Sequence, residues 1–110
     1  MSQFIYRLQL NRPAVLTEGP TEPEAAVLSE HVAYLARLAE EGTVLLAGRT
    51  QTDAADGYGI VLLSAGSEHE AQQVMESDPA VREGVMRAQL HPYRIAVLSE
   101  SIVAEARLQP

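Results

Sequence analysis

The stretch YGIVLLS, residues 58–64, decides the fold of this chain. Its apolar residues fall on both alternating sets of positions, Tyr58, Ile60 and Leu62 on one and Val61 and Leu63 on the other. A strand with one solvated face would alternate apolar and polar residues, so this strand is predicted to be covered on both faces. TVLLAGR, residues 43–49, lacks alternation as well and predicts a second strand of the same kind.

The residues that precede these two strands predict a strand, a loop and a helix. QFIYRLQL, residues 3–10, alternates apolar with polar residues, as a half-buried strand does. Residues 11–23 hold three prolines and one glycine and are interpreted as a loop. Thr21 and Glu24 have the spacing of a capping box, and the helix that follows is predicted over about 22–41, ending at Gly42.

The remaining residues predict a hairpin, a second helix and a last strand. The Asp56-Gly57 pair favours a tight hairpin between the two apolar strands. The second helix is predicted to open at Ser67, with Glu70 completing a capping box, and to end at Asp78-Pro79, because the residue before a proline disfavours the helical region. Residues 85–99 predict a strand broken near Pro92, which suits a sheet edge.

This β-α-β-β-α-β order predicts an α+β protein, a ferredoxin-like βαββαβ sandwich with an antiparallel sheet and both helices on one face. The other face would then be bare, and an exposed apolar face of roughly several hundred Å² is unusual on a monomer. We therefore expect an identical subunit to cover it, which gives a homodimer of the dimeric α+β barrel type. The domain is predicted over residues 1–98, followed by a C-terminal tail, 99–110, of undetermined structure.

The composition excludes several classes of function. The 110 residues carry a net charge of −7, and all eight basic residues are arginines. An acidic chain without a basic run is a poor ligand for nucleic acid or for an anionic membrane. The lack of lysine and cysteine excludes lysine Schiff bases, thiolate nucleophiles and disulfides. Neither a secretory signal nor an apolar run of about 18 residues is found, so the expected location is the cytoplasm.

Four stretches of the chain resemble the YCII-like (YciI-like) family of the dimeric α+β barrel superfamily. They are EHVAYLARLAEEGTVLLAG (30–48), DGYGIVLL (56–63), SEHEAQQVMESDPAVREGV (67–85) and LHPYRIAVL (90–98). The resemblance implies a small dimer with a pocket near the barrel and a His–Asp pair as the active centre, which map to His31 and Asp78. The chain departs from the family pattern at Arg49, where proline is common, and at Ala80, where an aromatic residue is common.

His31 and Asp78 each have a structural and a functional interpretation. His31 lies on the predicted sheet-facing stripe of the first helix, which comprises Leu28, Val32, Leu35 and Leu38. It is either a half-buried histidine bonded to a backbone carbonyl or a general acid or base, since the ordinary imidazole pKa of about 6.5 suits proton transfer. Asp78 is either the N-cap of the turn at Pro79 or the carboxylate that orients His31, and one carboxylate can do both.

The candidate substrate-binding residues are two arginines, Arg49 and Arg7, and two tyrosines, Tyr34 and Tyr58. Arg49 ends the second strand and Arg7 lies within the first, where either can clamp a substrate carboxylate; surface ion pairing is the alternative. Tyr34 and Tyr58 are candidates for the pocket lining, and so is Tyr6, although tyrosines at such positions are more often core residues with a satisfied hydroxyl.

No metal or cofactor is predicted. A site made of His31, His91 and Asp78 would be a two-histidine, one-carboxylate set, but the spacing matches no local metal-ligand motif. The glycines of residues 47–59 lack the spacing and the lysine of a phosphate-binding loop.

The expected function is that of a small cytoplasmic enzyme that needs no cofactor. His31 would move a proton on a small organic acid, Asp78 would orient the imidazole, and Arg49 or Arg7 would hold the acid group. Isomerisation, elimination and hydrolysis all fit such a pair, so the enzyme would be an isomerase, a lyase or a hydrolase. The alternative is a non-catalytic dimeric module that binds a small metabolite or serves as an accessory protein.

Overall fold

The computed structural model describes residues 1–108 of the chain. Its elements, in chain order, are β1 (Ser2–Leu10), α1 (Ala14–Glu18), α2 (Glu22–Glu40), β2 (Val44–Arg49), β3 (Gly59–Ala65), α3 (Glu68–Ser77), α4 (Pro79–Arg82), β4 (Met86–Tyr93) and α5 (Ile102–Leu108). The four strands form one antiparallel sheet in the order β2-β3-β1-β4. The predicted α+β class and ferredoxin-like sheet are thus confirmed.

The core lies on the face of the sheet against which α2 and α3 pack. Its buried residues include Phe4, Tyr6 and Leu8 of β1, Val61 and Leu63 of β3, Leu38 of α2, and Ala71 and Met75 of α3. The opposite face, which we call the open face, carries Ile5, Arg7, Leu46, Ile60, Leu62 and His91. Strand β3 is therefore apolar on both faces, as its sequence predicts.

Helix α2 starts and ends where the sequence predicts. The Thr21 hydroxyl accepts from the Glu24 backbone N–H, and the Glu24 carboxylate accepts from the Thr21 N–H, which completes the capping box. The helix ends before Gly42, whose φ of 81° lies in the left-handed region that glycine adopts without strain.

The sheet-facing stripe of α2 differs from the predicted one at one position. Val32 is 64% exposed, so its assignment to the buried stripe was wrong. Leu28, Leu35 and Leu38 are buried or half-buried as predicted, and His31 and Tyr34 lie with them, so that His31, Tyr34, Leu35 and Leu38 follow at i, i+3, i+4 and i+7. The imidazole thus takes a position in the centre of the stripe that an aliphatic side chain would ordinarily occupy.

Two connecting segments differ from their predictions. The predicted loop 11–23 contains the short helix α1, and Arg12 ties it to α2 through two hydrogen bonds to the Glu24 carboxylate. Asp56-Gly57 does not form a tight hairpin, because β2 ends at Arg49 and β3 begins at Gly59, and the loop between them closes through bonds of Thr50 to Tyr58.

The start of α3 and the predicted tail also differ in detail. The Ser67 hydroxyl caps α3 as predicted, but the Glu70 carboxylate accepts from the Gly66 N–H instead of closing a capping box. The tail contains α5, and the last two of its predicted residues, 109 and 110, lie outside the described residues. Strand β4 is a sheet edge and accommodates Pro92, as expected, but it ends at Tyr93, so the prediction of strand for residues 94–99 was wrong.

Loss of the α2 cap should weaken the fold by a defined amount. Thr21→Ala removes the oxygen that accepts from the first turn, so the free energy of unfolding should fall by about 1 kcal/mol. Chemical denaturation monitored by circular dichroism measures it. Thr17→Ala is the matched control, because Thr17 is exposed and bonds only the Ala14 carbonyl. Equal effects of the two substitutions would contradict the assignment of the cap.

Candidate functional site

A buried carboxylate joins three elements of the fold. Asp78 is fully buried, and its Oδ1 lies 2.7 Å from His31 Nδ1 of α2. The same oxygen accepts from the Ala80 N–H of α4 at 3.0 Å. Its Oδ2 accepts from the Tyr6 hydroxyl of β1 at 2.8 Å. Tyr6 is fully buried as well, and His31 is 9% exposed. We call Tyr6, Asp78 and His31 the buried triad.

Local sequence places each member of the triad. Pro79 ends α3 at Asp78, and the extended backbone of that residue turns its side chain back as the N-cap of α4. The same oxygen of Asp78 therefore caps α4 and contacts His31. The role of Asp78 as an N-cap is thus compatible with its role as a partner of His31. His31 projects from the buried stripe of α2 toward the same point.

The contact with Asp78 sets the hydrogen-bonding roles of the imidazole. An ionised carboxylate only accepts hydrogen bonds, so Nδ1 of His31 is the donor. In the neutral ring Nε2 then carries the lone pair. This is the arrangement in which a histidine takes up a proton at Nε2 while a carboxylate holds its other nitrogen.

The Tyr6 hydroxyl is a permanent donor in this cluster. Burial, and next the negative charge of Asp78, raise the pKa of Tyr6 well above its ordinary value of 10.0. The phenol is therefore protonated, and so a hydrogen-bond donor, around neutral pH. Among the described residues it is the one donor within hydrogen-bond distance of Asp78 Oδ2.

A cavity of about 690 Å³ lies beside His31, between α2 and the β2 side of the sheet. Most of its lining is aliphatic, with Leu8, Leu28, Leu35, Val44, Val61 and Met86 among the contributors. The ionisable side chains along the described lining are His31, Arg49 and Tyr58. An apolar cavity with a few polar groups is the usual form of a small-molecule site.

Two predicted substrate-binding residues lie outside this lining. Tyr34 donates its hydroxyl to the Val74 carbonyl of α3 at 2.7 Å and so joins the two helices. Burial, and next the Asp78 charge, raise the pKa of Tyr34. Arg7 lies on the open face, with its guanidinium carbon 4.5 Å from the centroid of the Tyr58 ring. The structure thus brings His31, Asp78, Arg49 and Tyr58 to the site and leaves Tyr34 and Arg7 beside it.

The histidines are not arranged as metal ligands in the described part of the chain. His91 lies on the open face opposite Ile5, whereas His31 lies on the helix side of the sheet. Within residues 1–108 no three His, Cys, Asp or Glu side chains come together as a group that could hold a metal ion.

Tyr6 is the member of the triad whose role the sequence does not reveal. It alternates with Phe4 and Leu8 like any core residue of a half-buried strand. A buried tyrosine hydroxyl needs a partner, but that partner lies 72 residues away in the chain. The sequence does show a tyrosine in the middle of an apolar strand face. That pattern indicates that the hydroxyl has a buried partner, but it does not identify the partner as Asp78.

The fold and the site define a small α+β protein with a ferredoxin-like antiparallel sheet and a buried His–Asp pair beside an apolar cavity. The chain belongs to the YCII-related domain family, whose model matches residues 4–91. The resemblance inferred from the sequence is therefore confirmed. No curated protein is significantly similar to the chain in sequence.

Two solved structures resemble the chain, and the likeness to the first of them, TftG, is one of fold. TftG is the 5-chloro-2-hydroxyhydroquinone dehydrochlorinase of Burkholderia phenoliruptrix, and its structure was solved in complex with 2,5-dihydroxybenzoquinone. It is 18% identical to this chain, with a TM-score of 0.59. The match covers 83% of this chain and 93% of TftG. SnoaB, a cofactor-independent oxygenase of Streptomyces nogalater, is 11% identical over 89% of this chain and 95% of its own, with a TM-score of 0.47. At such identities the likeness concerns the fold.

No helix within residues 1–108 is both long and apolar enough to cross a membrane.

Neutralising Asp78 should change the protonation of His31. In Asp78→Asn the amide cannot stabilise an imidazolium as a carboxylate does, so His31 should take up its proton at a lower pH than in the wild type. Imidazole chemical shifts followed by NMR against pH measure this, with the exposed His69 and His91 as internal references. Glu76→Gln makes the same chemical change on an exposed side chain and should leave His31 unaffected. An unchanged His31 titration in Asp78→Asn would contradict the coupling.

Proposed function

We propose that this protein is a cofactor-independent enzyme that carries out acid/base chemistry on a small organic acid, with His31 as the proton-transferring group and Asp78 as its orienting carboxylate. The observation that carries the proposal is the 2.7 Å contact between His31 Nδ1 and the fully buried Asp78, beside a cavity that His31 lines. Isomerisation, elimination and hydrolysis remain the reaction types that this pair fits.

The chemistry follows from the state of the ring. Nε2 takes a proton from the substrate, and the electron pair of the broken bond moves into the substrate. Asp78 stabilises the imidazolium that forms, and the aliphatic lining strengthens that attraction by excluding water. The imidazolium then returns the proton, to another atom of the substrate in an isomerisation or to the leaving group in an elimination. In a hydrolysis Nε2 would instead take the proton from a water molecule.

Arg49 is the proposed anchor for the acid group. It lines the cavity with His31, and among the described residues it forms no ion pair with a carboxylate. Its planar guanidinium can therefore hold a carboxylate or an enolate in a bidentate manner. Tyr58 provides a ring in the same lining, and Arg7 packs on that ring from the open face. In this proposal Arg7 positions Tyr58 and does not itself contact the acid group.

The ligand of TftG suggests a first probe. TftG shares the fold of this chain, and its structure contains 2,5-dihydroxybenzoquinone. That compound is a flat, acidic ring, and such a ring matches a cavity with an aliphatic lining, one arginine and one tyrosine. Its use as a probe does not require that this chain act on the same substrate.

A homodimer in the cytoplasm is the proposed assembly and location. The open face carries Ile5 and Ile60, which are half-buried in the single chain, and a second sheet would complete their burial. Arg7 on the same face makes a ring contact and has no carboxylate close enough for an ion pair within residues 1–108. The contact would therefore combine an apolar centre with polar edges.

Ligand binding and turnover should separate the roles of Arg49 and His31. We expect 2,5-dihydroxybenzoquinone, or one member of a set of small carboxylates, to raise the melting temperature by mass action. Arg49→Gln should weaken that binding about tenfold or more, because a charge-assisted hydrogen bond is lost. His31→Gln should keep most of the binding and abolish turnover, which is followed by NMR of the ligand.

Arg82→Gln is the control for this experiment, because Arg82 is exposed and pairs only loosely with Glu30, at 3.9 Å. A ligand that binds without turnover, in the wild type and in His31→Gln alike, would support the non-catalytic binding module instead. Binding that is insensitive to Arg49→Gln would contradict the role of that residue.

Charge placed on the open face should dissociate the dimer. Ile5→Glu introduces a carboxylate at the centre of that face, so a dimeric wild type should become a monomer. Light scattering coupled to gel filtration, at micromolar concentration, measures the mass. Gln73→Glu adds the same charge at an exposed position of α3 and should leave the mass unchanged. A wild type that is largely monomeric would contradict the proposed assembly.

A further inference from the structure

We infer that Tyr6 is a positioning residue that sets the basicity of His31 through Asp78. The inference rests on the proposed function, in which His31 is the group that transfers the proton. It adds a third residue to the pair and gives it a specific effect, which is to keep the imidazole available as a neutral base.

Within the described residues, the Tyr6 hydroxyl has one hydrogen-bond partner, the carboxylate of Asp78. Its hydroxyl lies in a fully buried part of β1 and donates to Asp78 Oδ2 at 2.8 Å. The other oxygen of Asp78 accepts from His31 Nδ1 and the Ala80 N–H. The carboxylate is thus shared between the imidazole on one oxygen and the phenol on the other.

The hydrogen bond from Tyr6 changes how the charge of Asp78 is distributed between its two oxygens. A hydrogen bond from a protonated phenol draws negative charge toward Oδ2 and away from the oxygen that faces His31. Asp78 then stabilises an imidazolium less than an unshared carboxylate would in the same buried place. With Tyr6 in place, His31 releases its proton more readily, and more of it is neutral at a given pH.

The position of Tyr6 in the sheet makes the contact rigid. Strand β1 lies between β3 and β4, and Tyr6 pairs with Val61 on one side and Leu90 on the other. Asp78 lies at the junction of α3 and α4, outside the sheet. The phenol is therefore a fixed point that holds the carboxylate plane while α2 holds the imidazole.

The test is the titration of His31 in Tyr6→Phe, followed by imidazole NMR. Removal of the hydroxyl leaves the whole charge of Asp78 to the imidazole, so the midpoint of His31 protonation should rise by about one pH unit. The change is opposite in sign to that expected for Asp78→Asn. Tyr34→Phe is the matched control, because it removes a hydroxyl that bonds the Val74 carbonyl and should leave the midpoint unchanged.

A second variant keeps the test decisive if Tyr6→Phe folds poorly. Site-specific replacement of Tyr6 by 3-fluorotyrosine retains the ring and makes the phenol a stronger donor, so the midpoint of His31 should fall. A rise in Tyr6→Phe supports the inference; where Tyr6→Phe does not fold, a fall with fluorotyrosine supports it. An unchanged midpoint, or a shift of the opposite sign, in any variant that folds overturns it. The measurement uses the protein without a substrate, so absence of turnover would count against the proposed function and not against this coupling.

Discussion

The buried charge of Asp78 is the constraint on which the rest of the structure depends. A carboxylate taken out of water costs several kcal/mol unless donors replace its hydration. Here the donors come from β1, α2 and α4, one from each element. The sheet and the helices packed on it must therefore come together at one point before that charge is satisfied. No buried side-chain nitrogen or oxygen of the described residues is left without a partner.

The same constraint argues that the triad serves chemistry more than stability. Replacement of a buried polar cluster by well-packed apolar residues is often neutral or stabilising. His31 occupies the middle of a stripe whose other members include Leu35 and Leu38, so a leucine there would extend the core without any need for a buried carboxylate. The N-cap role of Asp78 does not require burial of His31 against it. A polar pair that an aliphatic stripe could replace, placed beside a cavity, is what a site for proton transfer would need.

Sequence patterns predict the parts of this protein that depend on neighbours in the chain. The Thr21–Glu24 box fixes the start of α2, and the Asp78-Pro79 step fixes the end of α3, because both rest on contacts within a few residues. The exposure of Val32 was missed because apolar character alone does not set the rotation of a helix. That rotation follows from His31 and Tyr34, which have partners 47 and 40 residues away.

The site shows the same division between local and distant information. The resemblance to the YCII-like family supplied His31 and Asp78, and spacing alone left their contact open. Tyr6 could not be assigned, because its role depends on strand register and on a helix end 72 residues later. The length of the loop between β2 and β3 could not be predicted either. The Asp56-Gly57 pair indicates a turn, but it does not indicate how far from the turn the strands end.

The two faces of the sheet are linked at Tyr58. Its ring lines the cavity that contains His31, and the guanidinium of Arg7 packs on that ring from the open face. Both side chains are exposed in the single chain. In the proposed dimer a second sheet would cover Arg7 and restrict it, and the restriction would pass to the ring of Tyr58. Assembly would then shape one wall of the cavity, while the buried triad, held entirely within one chain, would keep its geometry in monomer and dimer alike.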